Sequence, residues 1–149
     1  MSAVVAVVAE VDMSDLLTIN NKESSHLTGS CLCGGVKYRI DGPARDVVNC
    51  FCSECRKTSG HHVAATRVNK DHLTMESEST LKWYECSPGT YKGFCENCGG
   101  NIFWDNNKDN QVSISAGTLD TPTHLKTVGN IHTEDASDYC VIPALENEN

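Results

Sequence analysis

Seven of the nine cysteines in this 149-residue chain fall into three tight clusters. Cysteines two or three residues apart can turn both sulfurs toward one ion, and a protein zinc site usually takes four ligands at about 2.3 Å for sulfur. The spacing therefore predicts zinc binding and a fold that brings distant cysteine pairs together. The clusters are Cys31-x-Cys33, Cys50-x-Cys52-x-x-Cys55 and Cys95-x-x-Cys98.

Disulfide bonds are the alternative use of so many cysteines. The odd count and the close pairs argue against them, because a bond between Cys31 and Cys33 would close a very small, strained ring. The apolar stretch at residues 3–9 has no basic residues before it and is far shorter than a membrane span. We therefore expect reduced thiols in a soluble, cytoplasmic protein.

The charge balance restricts the partners of the chain. The formal net charge is −8, which repels the phosphates of nucleic acids and the headgroups of anionic membranes. We expect neither nucleic acid nor membrane as a partner. The sequence does not indicate an oligomeric state.

Short alternating segments dominate the middle of the chain. Val36, Tyr38 and Ile40 alternate with Lys37 and Arg39, which predicts a half-buried strand. Ser53 and Gly60 bracket a single short helix as its cap and its end. We predict a mainly β, zinc-stapled domain of many short antiparallel strands at 27–143, with a flexible extension at 1–26 and a polar tail at 144–149. Further strands are predicted at 47–51, 62–68, 81–85, 91–94, 101–104 and 111–116.

The first and third clusters together supply four thiolates. A glycine pair follows each of them, at 34–35 and 99–100, and gives the backbone the freedom that a tight metal knuckle needs. A four-thiolate zinc site is closed and structural. We assign one structural ion to both pairs; the alternative is that the pairs bind separate ions or none. The four ligands are Cys31, Cys33, Cys95 and Cys98.

The middle cluster, Cys50, Cys52 and Cys55, supplies only three ligands. Its fourth position either stays open to water or substrate, or is closed by a distant residue, and the spacing leaves both alternatives open. An open three-thiolate zinc favours a soft fourth ligand, and a substrate thiol is the natural candidate. Because one local segment holds it, we expect this zinc to be the more labile. The possible closing residues are His61, His62, Asp71, Cys86 and Cys140.

Three segments carry a resemblance to a known family. They are GSCLCGGVKYRI at 29–40, CFCSECRKTSG at 50–60 and FCENCGGNIFW at 94–104, followed by SISAGTLD at 113–120. Over roughly residues 27–142 the chain resembles the glutathione-dependent formaldehyde-activating enzymes, which share their domain with centromere protein V. Tyr139 resembles the aromatic residue that closes the domain of this family.

The resemblance implies a mainly β fold with a structural zinc on the four cysteines and a catalytic zinc on Cys50, Cys52 and Cys55. It also implies a carbon–sulfur lyase that acts on a thiol adduct, such as glutathione plus formaldehyde to S-hydroxymethylglutathione. The chain departs from the family pattern in two places. Phe51 stands where histidine is frequent, and His61-His62 stands where small, apolar residues are usual.

The substrate-binding residues are less constrained than the metal ligands. Arg56 and Lys57 follow the middle cluster and are predicted to bind the carboxylates of glutathione; a solvated helix face is the alternative. His61 or His62 is a candidate general acid or base. The rival functions are a non-enzymatic zinc-binding interaction module, a glutathione-binding module, and a thiol redox or metal sensor. Three cations on predicted strands cannot be ranked: Arg67, Lys82 and Lys92.

Overall fold

The computed structural model describes residues 17–18 and 25–145. Most of the predicted extension and tail therefore lie outside the described residues. In the part that is described, no helix has the length and apolar character that crossing a membrane requires. The helix α1 is Ser53–Ser59, and the strands are β1 (Ser25–Ser30), β2 (Val36–Gly42), β3 (Val47–Cys50), β4 (Val63–Asn69), β5 (Leu73–Glu78), β6 (Leu81–Ser87), β7 (Thr90–Cys95), β8 (Asn101–Asp105), β9 (Gln111–Ser115) and β10 (Thr127–Ile131).

The strands form two sheets, so the predicted mainly β class is confirmed. The smaller sheet has the order β1-β2-β5, and the larger has the order β10-β3-β4-β9-β8-β7-β6. All neighbours are antiparallel except β10 and β3, which run parallel. Seven of the eight strand pairs among the described residues are therefore antiparallel, as the prediction of many short antiparallel strands requires, and β10 with β3 is the exception. The chain returns to β3 by the long connection 116–126 after β9, and such a crossover permits parallel pairing.

The helix α1 is where predicted, with one difference at its start. Its N-cap is Cys52 rather than Ser53, because the Cys52 Sγ accepts a hydrogen bond from the Cys55 backbone N–H at 3.4 Å. Gly60 ends the helix as predicted and donates its N–H to the Arg56 carbonyl at 2.8 Å. A cysteine sulfur therefore replaces the usual hydroxyl cap and ties the helix to the middle cluster.

The core lies between the two sheets. The rings of Tyr38 on β2 and Phe103 on β8 have centroids 5.6 Å apart, and both side chains are buried. Successive side chains of a strand point to opposite faces of the sheet. On β4 and β9, residues that face the core therefore alternate with residues that face away from it. Thr66 and its cross-strand partner Ile114 are fully buried, whereas Arg67, the next residue on β4, points to the other face. That other face of the large sheet carries the candidate site.

Candidate functional site

The four cysteines of the first and third clusters meet at the ends of two hairpins. Cys31 and Cys33 lie between β1 and β2, Cys95 ends β7, and Cys98 lies between β7 and β8. The sulfur atoms are within 4.8 Å of one another, with Cys33 Sγ 3.6 Å from both Cys31 Sγ and Cys95 Sγ. Tetrahedral ligands of one zinc ion are separated by about 3.8 Å. The structure thus brings together the four residues that were assigned to one ion.

Two members of this four-cysteine cluster, Cys31 and Cys95, belong to the hydrophobic core, while Cys33 is exposed. Cys95 is fully buried and Cys31 is 3% exposed, and both pack within the core cluster. Gly34 and Gly99 have φ of 81° and 78°, so the glycines after each pair do adopt the left-handed backbone that a tight turn needs. A hydrogen bond with the Thr80 hydroxyl lowers the pKa of Cys95 to about 6. The closed, packed arrangement fits a structural metal.

The cluster of three lies at the start of α1. Cys50 ends β3, Cys52 caps the helix and Cys55 is in its first turn. Their sulfur atoms also lie within 4.8 Å of one another. Among the described residues, no histidine, carboxylate or further cysteine joins this group as a fourth donor. Three sulfur donors are a set that suits zinc and leaves one tetrahedral position for another ligand.

The thiols of Cys50 and Cys55 in this cluster differ in pKa. A hydrogen bond from the Cys55 thiol lowers the pKa of Cys50 to about 6, while the same bond and burial raise the pKa of Cys55. The Cys50–Cys55 pair therefore releases its first proton more readily than an ordinary thiol does and holds the second one more tightly. Metal binding at this cluster would displace that proton, because only thiolates ligate zinc.

A cavity of about 600 Å³ opens directly on the cluster of three. It lies along the face of the large sheet that points away from the core. Its wall is apolar beside Cys50, at Val63 and Ala65, and charged beside Cys55, at Lys92. The further lining residues include Leu17, Arg45, Val48, Cys50, Cys52, Glu54, Cys55, Arg67, Lys92, Trp104, Asp109, Gln111, Ser113, Ile131 and His132.

Comparison with known proteins assigns the family. The family model described as "Glutathione-dependent formaldehyde-activating enzyme" matches residues 26–135. The chain belongs to this family. The match contains all seven clustered cysteines, so the resemblance seen in the sequence motifs is confirmed.

The proteins similar to this chain include a curated relative and a solved structure. A Halomonas elongata protein named "Putative glutathione-dependent formaldehyde-activating enzyme" is 33% identical over 86 aligned positions, and the match covers 52% of this chain and 54% of the relative. The chain thus spans about half the length of that relative. A crystal structure of a Rhodobacter sphaeroides protein aligns with a TM-score of 0.55 and 18% identity, and covers 68% of this chain and 99% of that one. This second similarity concerns the fold alone.

The predicted substrate-binding residues lie outside the cavity wall. Arg56 and Lys57 are on α1, but neither is among the residues that line the cavity, and Lys57 is exposed. Arg67 and Lys92, which the sequence could not rank, line it. Strand alternation could have placed Arg67, because it lies two and four residues after Ala65 and Val63 on β4, and all three line the cavity.

The candidate closing residues are engaged elsewhere or lie outside the cluster. His61 Nδ1 is 3.0 Å from the Tyr139 hydroxyl, and the His62 ring packs 4.9 Å from that of Phe51, centroid to centroid. Cys86 Sγ donates to Glu54 Oε1 at 3.2 Å. Asp71 and Cys140 join neither cluster. The described part of the chain therefore supplies three ligands here and no closing side chain.

Sequence reasoning also missed Arg45, Trp104 and His132, which line the cavity. Arg45 sits in the connection before β3, where no alternation indicates its direction. His132 has a left-handed backbone with φ of 54°, which turns the chain back toward the cavity after β10. No pattern in the sequence predicts that Arg45 or His132 lines the cavity.

Proposed function

We propose that this protein is a zinc-dependent carbon–sulfur lyase-type enzyme that acts on the adduct of a small aldehyde with a thiol, such as formaldehyde with glutathione. The family assignment supports a glutathione-related function. One observation carries the proposal: the three-cysteine cluster has only three ligands and faces a cavity, whereas the four-cysteine cluster has a full set of ligands and is anchored in the core by Cys31 and Cys95. A donor set with an open side is the arrangement that chemistry needs.

Two zinc ions per chain follow from this proposal, one closed and structural and one open and labile. All nine cysteines are free of disulfide bonds, which suits a reducing compartment such as the cytoplasm. Zinc held by Cys50, Cys52 and Cys55 would supply a soft Lewis acid that ionises and holds a substrate thiol.

The chain's own residues would provide position and charge. Val63 and Ala65 form an apolar wall beside the cluster, which can exclude water from a bound aldehyde. In the reaction the thiol sulfur bonds to the carbonyl carbon as the S–H bond and the C=O π bond break, and the thiol proton ends on the oxygen. The reverse cleavage returns that proton to sulfur and releases both reactants. Holding the two together accounts for most of the expected acceleration. The Lys92 ammonium, next to Cys55, is placed to stabilise the negative charge that develops on oxygen.

The test measures zinc content and turnover on the same preparations. Formation of S-hydroxymethylglutathione from glutathione and formaldehyde is followed by exchange NMR against the spontaneous rate in buffer. We expect acceleration by the wild-type protein, and loss of one zinc ion and of the acceleration in Cys55→Ser. The matched control is Cys140→Ser, which removes a cysteine outside both clusters. Zinc-loaded protein that gives no acceleration would overturn the lyase proposal.

A further inference from the structure

Arg45 is a charged residue of the cavity wall that has no role in the proposed function. Its side chain is almost fully buried, at 4% exposure, and it lines the cavity. Its Nε donates to the Asp46 carbonyl at 3.1 Å and its Nη2 donates to the Ala65 carbonyl at 2.9 Å. Both partners are backbone oxygens, and no carboxylate pairs with this guanidinium among the described residues. Burying a cation without a counterion is unfavourable unless a ligand supplies the charge.

The neighbouring arginine does not have this deficit. Arg67 donates from Nη2 to both carboxylate oxygens of Asp109, at 2.9 and 3.1 Å, and from Nε to Gln111 at 2.7 Å. Its positive charge is thus matched, and Arg45 remains the unmatched one. Burial and the nearby Arg67 lower the pKa of Arg45 to about 10, so it is still charged at neutral pH.

The pairing of β3 with β4 gives the approximate distance between the Arg45 guanidinium and the three-cysteine cluster. Val63 pairs with Cys50 across β3 and β4, and the Arg45 guanidinium binds the carbonyl of Ala65, two residues further along β4. Two residues of a strand span about 7 Å. The cavity therefore presents three thiols at one end and a buried, unmatched cation several ångströms away along the same wall.

We propose that Arg45 binds a carboxylate of the substrate and selects thiols that carry this group remote from their sulfur. This inference rests on the proposed function in one respect, that the substrate sulfur lies at the cluster of three. It assigns the anionic group to a residue on the cavity wall rather than to Arg56 or Lys57 on the helix. A guanidinium held by two carbonyls is fixed in orientation and still has N–H groups for a planar carboxylate.

The test separates binding of the carboxylate from chemistry at sulfur. The probe is S-methylglutathione, whose sulfur cannot ionise, compared with its diethyl ester by calorimetry on the zinc-loaded protein. We expect wild-type protein to bind the acid at least tenfold more tightly than the ester. Arg45→Gln should weaken binding of the acid by about tenfold to a hundredfold, as loss of a charge-assisted hydrogen bond does. Its effect on the ester should be much smaller.

The matched control is Arg39→Gln, which removes a half-exposed arginine on β2 that is not among the cavity-lining residues. It should keep the wild-type preference. If Arg45→Gln folds poorly, Arg45→Lys keeps the charge without the planar fork and should show an intermediate preference. Equal affinity of wild-type protein for acid and ester would overturn the inference, and so would a preference that Arg45→Gln retains.

Failure of this inference is distinguishable from failure of the proposed function. Preferential, Arg45-dependent binding without any turnover of glutathione and formaldehyde would support the carboxylate site and contradict the lyase proposal. Turnover with free glutathione and its diethyl ester at similar KM, in wild-type protein and in Arg45→Gln alike, would support the lyase proposal and contradict the carboxylate site.

Discussion

The ammonium of Lys92 lies 3.9 Å from the sulfur of Cys55, and both side chains are buried. Lys92 is on β7 and its nearest carboxylate oxygen, on Glu54, is 4.0 Å away. Three thiolates around one Zn²⁺ carry a net negative charge, and a desolvated cation beside them offsets it. Sequence position alone would not join these residues, because 37 positions separate them along the chain.

We predict that Lys92→Met weakens the zinc of the three-cysteine cluster roughly tenfold, because it removes a buried charge that stabilises the thiolates. Release of zinc to a chromogenic chelator measures this effect, and the four-cysteine zinc should not change. Lys82→Met is the control, since Lys82 is 59% exposed on the adjacent strand and pairs with Glu96 at 3.6 Å. Equal release rates in both variants would show that the Lys92 charge is irrelevant to the cluster.

The two clusters should contribute differently to stability. Cys95 is fully buried in the core, so we expect Cys95→Ser to lose cooperative unfolding. Cys52→Ser should lower the zinc content from about two ions to about one and leave the fold intact, because Cys52 is only half-buried. Thermal unfolding by circular dichroism, with zinc analysis of the same samples, compares them. A greater loss of stability in Cys52→Ser would contradict the structural role given to the four-cysteine cluster.

Tyr38 predicts a specific alkaline sensitivity. Burial raises the pKa of its phenol from 10.0 to about 12, so the folded state holds a proton that the unfolded state releases earlier. Its contribution to stability is complete below pH 10 and is lost as the pH rises toward 12. At about 1.4 kcal/mol for each pKa unit, the free energy of unfolding should fall by roughly 2 to 3 kcal/mol across this range.

Urea unfolding at several pH values tests the Tyr38 prediction. The free energy of unfolding should fall less steeply with pH in Tyr38→Phe, which has no phenol at this position to ionise. Tyr84→Phe is the control, because Tyr84 is 61% exposed, and it should keep the wild-type slope. The same pH slope in all three proteins would contradict the assignment to Tyr38.

The paired histidines are predicted to act on local structure rather than on chemistry. His61 binds the Tyr139 hydroxyl and His62 packs on Phe51, and neither lines the cavity. Burial lowers the pKa of His62, so it is neutral at physiological pH. His61→Ala should accelerate hydrogen exchange around Tyr139 and leave zinc content and turnover within about twofold. A tenfold fall in turnover would instead favour a general acid or base role for His61.

The grouping of the cysteines and most of the strands could be predicted from the sequence for definite physical reasons. Metal ligands must lie within a few ångströms of one another, so close spacing is informative, and the alternation around Tyr38 reports a buried face directly. Sequence reasoning did not predict β1, β5 or β10, and the pairing of β10 with β3 depends on a long connection rather than on a local pattern. Likewise the cap of α1 is Cys52, because the sulfur serves the helix and the cluster at once.

The cavity cations show the same limit. Arg67 could have been placed by its phase on β4, but Arg45 lies in an irregular segment and is oriented only by contacts with Asp46 and Ala65. Arg56 and Lys57 are adjacent to the cluster in sequence, yet the helix carries them away from the cavity wall. Their part in substrate binding stays a prediction, and the calorimetric comparison of acid and ester in variants of each residue would decide it.

We propose that the three-cysteine cluster holds a zinc ion with one position open to a thiol. Zinc K-edge X-ray absorption on fully loaded protein measures it most directly, as the mean number of sulfur ligands per zinc. Four sulfurs at one site and three at the other predict a mean of about 3.5, rising to about 4 when glutathione is added. A mean of about 4 before any thiol is added, or a value that glutathione does not change, would contradict the claim.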